Sequence, residues 1–187
     1  GVISAVGDGA VTPDGMLSVG DRVIVYRAQG AYTDRLAADL TSVHRIPDEL
    51  DFEHAAGLLL VGVTAADAVR TAHVESGDVV LVHGGSGAVG VIAIQLARAS
   101  GATVLATASA RNHDHLRSLG AIPVTYGDGL LDRVRDAAPG PITSVIDTTG
   151  TDEAIDTSLK GGARGVSLFA FGGLTDGHVE VMQQRFG

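Results

Sequence analysis

A chain of 187 residues that is 45% hydrophobic and 19% charged has room for one full core and part of a second, and its composition is that of a globular protein rather than a disordered or fibrous one. Its formal charge of −9 repels polyphosphate backbones and no Lys/Arg cluster offsets it, which argues against a nucleic-acid partner. The absence of cysteine excludes disulfides and thiolate zinc sites and suits a reducing cytoplasm.

Two textures divide the chain near residue 50. Before it lie short β-type runs between turn signals, at residues 2–6, 22–26 and 31–37, closing at Pro47-Asp48. A partial antiparallel β domain is expected over residues 1–50, and the chain reads as beginning mid-fold. From Asp51 a helical period runs through Ala55, Leu58, Leu59 and Val63 toward Ala72. Its longest apolar run, residues 55–63, falls short of the roughly 20 residues that cross a bilayer, so no membrane partner is expected. Strands then alternate with helices. Strands are predicted at 79–83, 103–107, 122–126, 142–147 and 166–171, with helices at 89–99, 111–119, 130–137 and 152–160. Nearly continuous apolar strands, each followed by a short helix, predict a doubly wound parallel α/β sheet over residues 51–187.

The segment that carries chemistry is VVLVHGGSGAVG, residues 79–90. Gly85-Ser86-Gly87-Ala88-Val89-Gly90 fits G-x-G-x-x-G, follows a predicted strand and opens a helix. Glycine permits the tight turn, lets backbone N–H groups approach a pyrophosphate, and lets helix and strand pack closely; the anion then sits at the positive end of the helix dipole. A site preferring NAD has an acid about 20 residues on, at the end of the second strand. Residues 105–112, Leu-Ala-Thr-Ala-Ser-Ala-Arg-Asn, contain none. Small hydroxyls and Arg111 suit a 2′-phosphate, since guanidinium offers forked donors and a permanent charge, so NADP(H) is the expected cofactor.

A set of motifs in order extends this reading: Val19-Gly20-Asp21-Arg22-Val23, Gly30-Ala31-Tyr32, Ile46-Pro47-Asp48, Gly62-Val63-Thr64-Ala65, Gly77-Asp78 leading into the strand and glycine loop, Leu119-Gly120-Ala121, Asp147-Thr148-Thr149-Gly150 and Phe171-Gly172-Gly173. With them the chain resembles the medium-chain dehydrogenase/reductase superfamily, and within it the zinc-independent quinone oxidoreductases related to zeta-crystallin. The resemblance implies a Rossmann sheet preceded by part of a GroES-like β domain, and a chain that is incomplete at both ends or naturally short. It implies that Gly84, Gly87 and Gly90 carry the phosphate loop. It also suggests that Ser109, Arg111 or Asn112, with Tyr126, contact the 2′-phosphate. Thr64 would touch the nicotinamide amide, and residues 147–149 and 171–173, including Thr148, Phe171 and Gly172, would line the nicotinamide side. The implied reaction is hydride transfer from NADPH to a quinone or α,β-unsaturated carbonyl, in a homodimer, with no side-chain nucleophile and no assigned catalytic residue.

Other chemistries find no support in the residues. His113 and His115 are two apart and point to different helix faces, and no H-E-x-x-H motif exists, so no metal is expected. Tyr26, Tyr32 and Tyr126 lack a lysine four residues on, which excludes the Tyr-x-x-x-Lys mechanism. Ser86 lacks the second glycine of a Gly-x-Ser-x-Gly elbow. His83 reads as a packed strand-end histidine. The rival reading is a dinucleotide-binding module without redox turnover.

Overall fold

In the computed structural model the described residues are 1–7, 9–12, 14–161 and 163–167. They fall into two compact units that divide between residues 60 and 61.

The first unit is built of antiparallel pairs. Strands β1 (Val11–Thr12) and β2 (Gly15–Met16) form a hairpin whose turn is closed by Thr12, its hydroxyl donating to the Gly15 carbonyl at 3.0 Å and accepting the Asp14 N–H at 3.2 Å. Strands β3 (Val23–Val25) and β4 (Val43–Arg45) pair with Ile24 opposite His44. Leu17, Val23 and Val43 make a small core, with Ile3 and Val25 against it. Two expected strands are absent. Residues 2–6 contribute only a bridge from Val2 to Arg22. Residues 31–37 are irregular, because Tyr32 is fully exposed and Leu36 is 40% exposed, leaving that alternation no surface to bury against.

Helix α1 (Phe52–Thr71) is followed by β5 (Val79–His83), α2 (Ala88–Ala99), β6 (Thr103–Thr107), α3 (His113–Ser118), β7 (Ile122–Val124), α4 (Leu130–Ala137), β8 (Ser144–Asp147), α5 (Asp152–Gly161) and β9 (Arg164–Ser167). By length and composition α1 is apolar enough to cross a membrane (mean hydropathy 1.3), yet Ala65, Ala68 and Val69 on it belong to the core of the second unit. The helix expected at 111–119 opens instead as a 3-10 turn, Ala110–Asn112, before α3. The strand expected at 122–126 stops at Val124, and the last strand starts earlier than expected, at Arg164; residues 168–171 of that expectation lie outside the described residues.

The five strands β5 to β9 form one parallel sheet in the order β7-β6-β5-β8-β9. Neighbouring strand residues serve opposite faces, so apolar runs with no polar alternation still sort into two cores. Val80, Val82, Val104, Ala106 and Ile146 pack with Ile94 of α2 and Leu116 of α3. Leu81, Leu105 and Val145 pack with Leu130 and Val134 of α4. This is the doubly wound α/β sheet, and consecutive strands leave β5 on opposite sides, placing a crevice at the C-terminal ends of β5 and β8.

Candidate functional site

Beyond His83 the chain turns through Gly84-Gly85-Ser86-Gly87 into α2. Gly84 has φ of +73°, and a Cβ there would lie 2.5 Å from Thr148 Oγ1 and 2.8 Å from Thr149 Cγ2. At Gly85 it would meet the Ala106 methyl at 2.7 Å, and at Gly90 the Gly84 carbonyl oxygen at 2.3 Å. These three glycines are demanded by the closeness of β5, β6, α2 and the turn after β8. Gly87 differs: its Cβ would meet only Gly84 O, at 3.3 Å.

The loop is pinned on both sides. Gly84 N–H donates to Thr107 Oγ1 (3.0 Å) and Gly85 N–H to the Thr107 carbonyl (2.8 Å), both at the end of β6. On the β8 side the Thr148 hydroxyl donates to the His83 carbonyl at 2.7 Å. Gly87, extended, precedes α2 with no side-chain cap. The backbone N–H groups of Ala88, Val89 and Gly90 have no acceptor among the described residues. Three fixed donors at the positive end of a twelve-residue helix, reached over a loop whose one side chain is that of Ser86, fit the pyrophosphate of a dinucleotide.

Asn112 draws the next group together. Its Nδ2 donates to Ser86 Oγ at 3.0 Å and to Ser109 Oγ at 3.3 Å, joining the glycine loop to the turn after β6. Beside them Arg111 is exposed, with no hydrogen-bond or ion-pair partner among the described residues, so its guanidinium is available to an anion. Tyr126, two residues past β7 and 55% exposed, lines a cavity of about 200 Å³ together with Gly84, Ser86, Thr107 and Thr149. Thr64 lies half-buried on α1 and is not among the residues lining this cavity. Phe171 and Gly172 lie outside the described residues.

A buried polar cluster forms part of the cavity wall, with His83 among the lining residues. His83 is 2% exposed and sits opposite Asp147 in the β5–β8 register. Asp147 Oδ1 accepts from the Thr149 N–H (2.8 Å), the Thr149 hydroxyl (2.7 Å) and the Gly150 N–H (3.1 Å), which shapes the turn that meets Gly84. Burial pushes the His83 imidazole below its usual value of 6.5, and the negative charges of Asp147 and Glu153 only partly oppose this. His83 is thus both packed at the end of β5 and part of the cavity lining. Among the described residues no group of three or more His, Asp or Glu is placed to hold a metal ion.

Sequence reasoning misses Thr107 and Arg133. The signal for Thr107 is a hydroxyl closing an apolar strand beside the one that feeds the glycine loop. Arg133 donates three hydrogen bonds to the loop that carries Tyr126, and a cation in the first turn of a helix, against the dipole, marks it.

Residues 88–186 match the zinc-binding dehydrogenase family model. A probable quinone oxidoreductase of Schizosaccharomyces pombe is 32% identical over 190 residues, covering 100% of this chain and 56% of that protein. A mycobacterial protein solved in complex with NADPH superposes with a TM-score of 0.73 at 33% identity, over 89% of this chain and 53% of that one. The enoyl reductase CurK gives 0.79 at 28% identity, over 97% and 55%. The chain thus spans about half the length of the relatives it matches. A doubly wound sheet, a glycine loop locked between strand ends and a family match over more than half its residues establish that the chain belongs to the zinc-binding dehydrogenase family, in the quinone-oxidoreductase-like branch of the medium-chain dehydrogenase/reductase superfamily.

Proposed function

We propose that this chain is the cofactor-binding part of an NADPH-dependent, zinc-independent reductase acting on a quinone or an α,β-unsaturated carbonyl. The observation that carries the reading is the pairing of three unpartnered N–H groups at the start of α2 with an unpaired Arg111 beside Ser109 and Asn112, at a strand end that offers no acid. A nicotinamide dinucleotide, when bound, would supply a hydride to the electron-poor carbon of the acceptor, and water would supply the proton that completes the two-electron reduction. The chain's residues bind and orient. The N–H groups of Ala88, Val89 and Gly90 hold the pyrophosphate charge, and Arg111 with the neighbouring hydroxyls and Asn112 takes the 2′-phosphate. Thr148, locked onto the His83 carbonyl, fixes the wall beside the loop. The homodimer expected from the family belongs to the same proposal.

The test is a fluorescence titration with NADPH and NADH, on the native chain and on Arg111→Ala. NADPH is expected to bind more tightly, and the substitution to weaken it about tenfold while leaving NADH within about twofold, the size of one lost charge-assisted contact. If neither nucleotide binds, the loop is only a turn. Binding without oxidation of NADPH by any quinone or enone would favour the non-redox module instead.

A further inference from the structure

We infer that Arg133 is a positioning residue for coenzyme choice, acting through the loop that carries Tyr126. The inference rests on the cofactor reading above, and its starting point is the loop itself. Between β7 and α4 run Thr125-Tyr126-Gly127-Asp128-Gly129, with Gly127 at φ +96° and Gly129 at φ +79°. Glycine allows that path and leaves it loose, since each left-handed glycine gives up more chain entropy on ordering than any other residue. Tyr126 itself is no anchor: it is more than half exposed and lines the cavity beside Ser86 and Thr107.

What orders the loop is one side chain. Arg133 is the fourth residue of α4 and half-buried. Its Nε donates to the Thr125 carbonyl at 2.9 Å, Nη1 to Asp128 at 2.7 Å and Nη2 to Gly127 at 2.6 Å. A single planar group thus takes three carbonyls from both sides of Tyr126. Lysine, a point charge on a flexible stem, cannot reproduce that fork. The position is costly for a cation, at the positive end of a helix dipole and without an ion-pair partner among the described residues, and only the carbonyls repay it.

The functional consequence follows from where the clamp ends. The guanidinium's hydrogen bonds go to Thr125, Gly127 and Asp128 and none to the glycine loop or Arg111, so its loss leaves the pyrophosphate donors in place and releases only the adenosine-side wall. Arg133 then governs the preference for NADPH over NADH rather than nucleotide binding as a whole.

The chain has no tryptophan and three tyrosines. With Tyr26 and Tyr32 replaced by Phe, the steady-state anisotropy of Tyr126 reports on this loop directly, without any nucleotide. In that background Arg133→Ala and Arg133→Lys would be compared by anisotropy, by thermal melting, and by titration with NADPH, NADH and 2′,5′-ADP. The expected result is a fall in Tyr126 anisotropy in both variants. NADPH and 2′,5′-ADP should weaken about fivefold to tenfold in Arg133→Ala, less in Arg133→Lys, with NADH unchanged within about twofold. Unchanged anisotropy overturns the inference, as does an equal loss for NADPH and NADH. If Arg133→Ala fails to melt cooperatively, the lysine variant decides by the same two readouts. A parent chain that binds no nucleotide overturns the cofactor reading and the inference with it; a parent that prefers NADPH beside variants with the same preference overturns the inference alone.

Discussion

Gly87 and Gly90 sit three residues apart in one loop, yet a methyl group would meet different surroundings at each. At Gly90 it strikes backbone, the Gly84 oxygen at 2.3 Å and the Gly85 Cα at 2.9 Å, neither of which can swing aside. Gly90→Ala is expected to cost about 3 kcal/mol in urea denaturation, in the overpacking range. At Gly87 one oxygen at 3.3 Å gives way by a few tenths of an ångström. Gly87→Ala is expected to cost under about 1 kcal/mol while, on the proposed cofactor reading, weakening NADPH about tenfold, because its methyl would stand where the pyrophosphate approaches. A Gly87→Ala protein that binds NADPH at full strength would sink that placement of the phosphate. His83 makes a prediction in pH. Its folded-state pKa is lowered by burial, so as pH falls below about 6.5 the unfolded chain takes up a proton that the folded chain refuses. Stability therefore falls with pH from there toward the lower folded value, by at most about 1.4 kcal/mol per pH unit for one proton. Urea midpoints for the native chain and His83→Gln, measured from pH 7.5 to 5, should converge as pH falls; parallel curves would count against a neutral His83.

At the scale of elements, the parallel sheet is tied at its other end by a cluster remote from the cavity. Asp78, just before β5, accepts from the Glu75 N–H at 2.9 Å, the Thr143 hydroxyl at 2.7 Å and Arg164 at 3.0 Å, joining the starts of β5, β8 and β9. These hydrogen bonds, the one from Glu75 foremost, hold its carboxyl below the usual carboxylate value. Asp78→Ala strands three donors and is expected to cost about 2 kcal/mol, whereas Arg164→Ala removes one half-exposed partner and should cost less than about 1 kcal/mol. Equal losses in denaturation would show that the ion pair, not the carboxylate's backbone and hydroxyl contacts, holds the corner. The central strands, buried on both faces, and the amphipathic helix α4 were the legible elements. The runs at 79–83 and 103–107 and the helix at 130–137 come out at their observed bounds, because hydrophobic period and glycine punctuation agree there. β1, β2 and β4 escaped detection, being two or three residues long and held by the Thr12 turn and by pairing to a distant strand.

Across the whole molecule, the two units differ in how much local sequence decides. The second carries two apolar clusters on opposite sheet faces, and its alternation announces it. The first has three buried apolar residues at its centre, Leu17, Val23 and Val43, brought together from 26 positions apart by pairings that no local pattern encodes. The candidate site follows the same division. The glycine loop and the hydroxyl-rich turn after β6 could be read because each is contiguous; the Thr107 pins and the Arg133 clamp could not, since their meaning lies in what the backbone brings near. The adjacency of β5 and β8 has a last consequence, in time. Residues paired there lie 64 apart in the chain, as Val79 and Thr143 do, with two other strands synthesised in between and laid on the far side of β5. Such a long-range closure forms slowly, after the local hairpins and helices. A nascent chain that has emerged only as far as Gly140 owns every glycine of the phosphate loop but not the Thr148 that holds its wall. The loop thus gains its β8-side wall abruptly, when β8 docks.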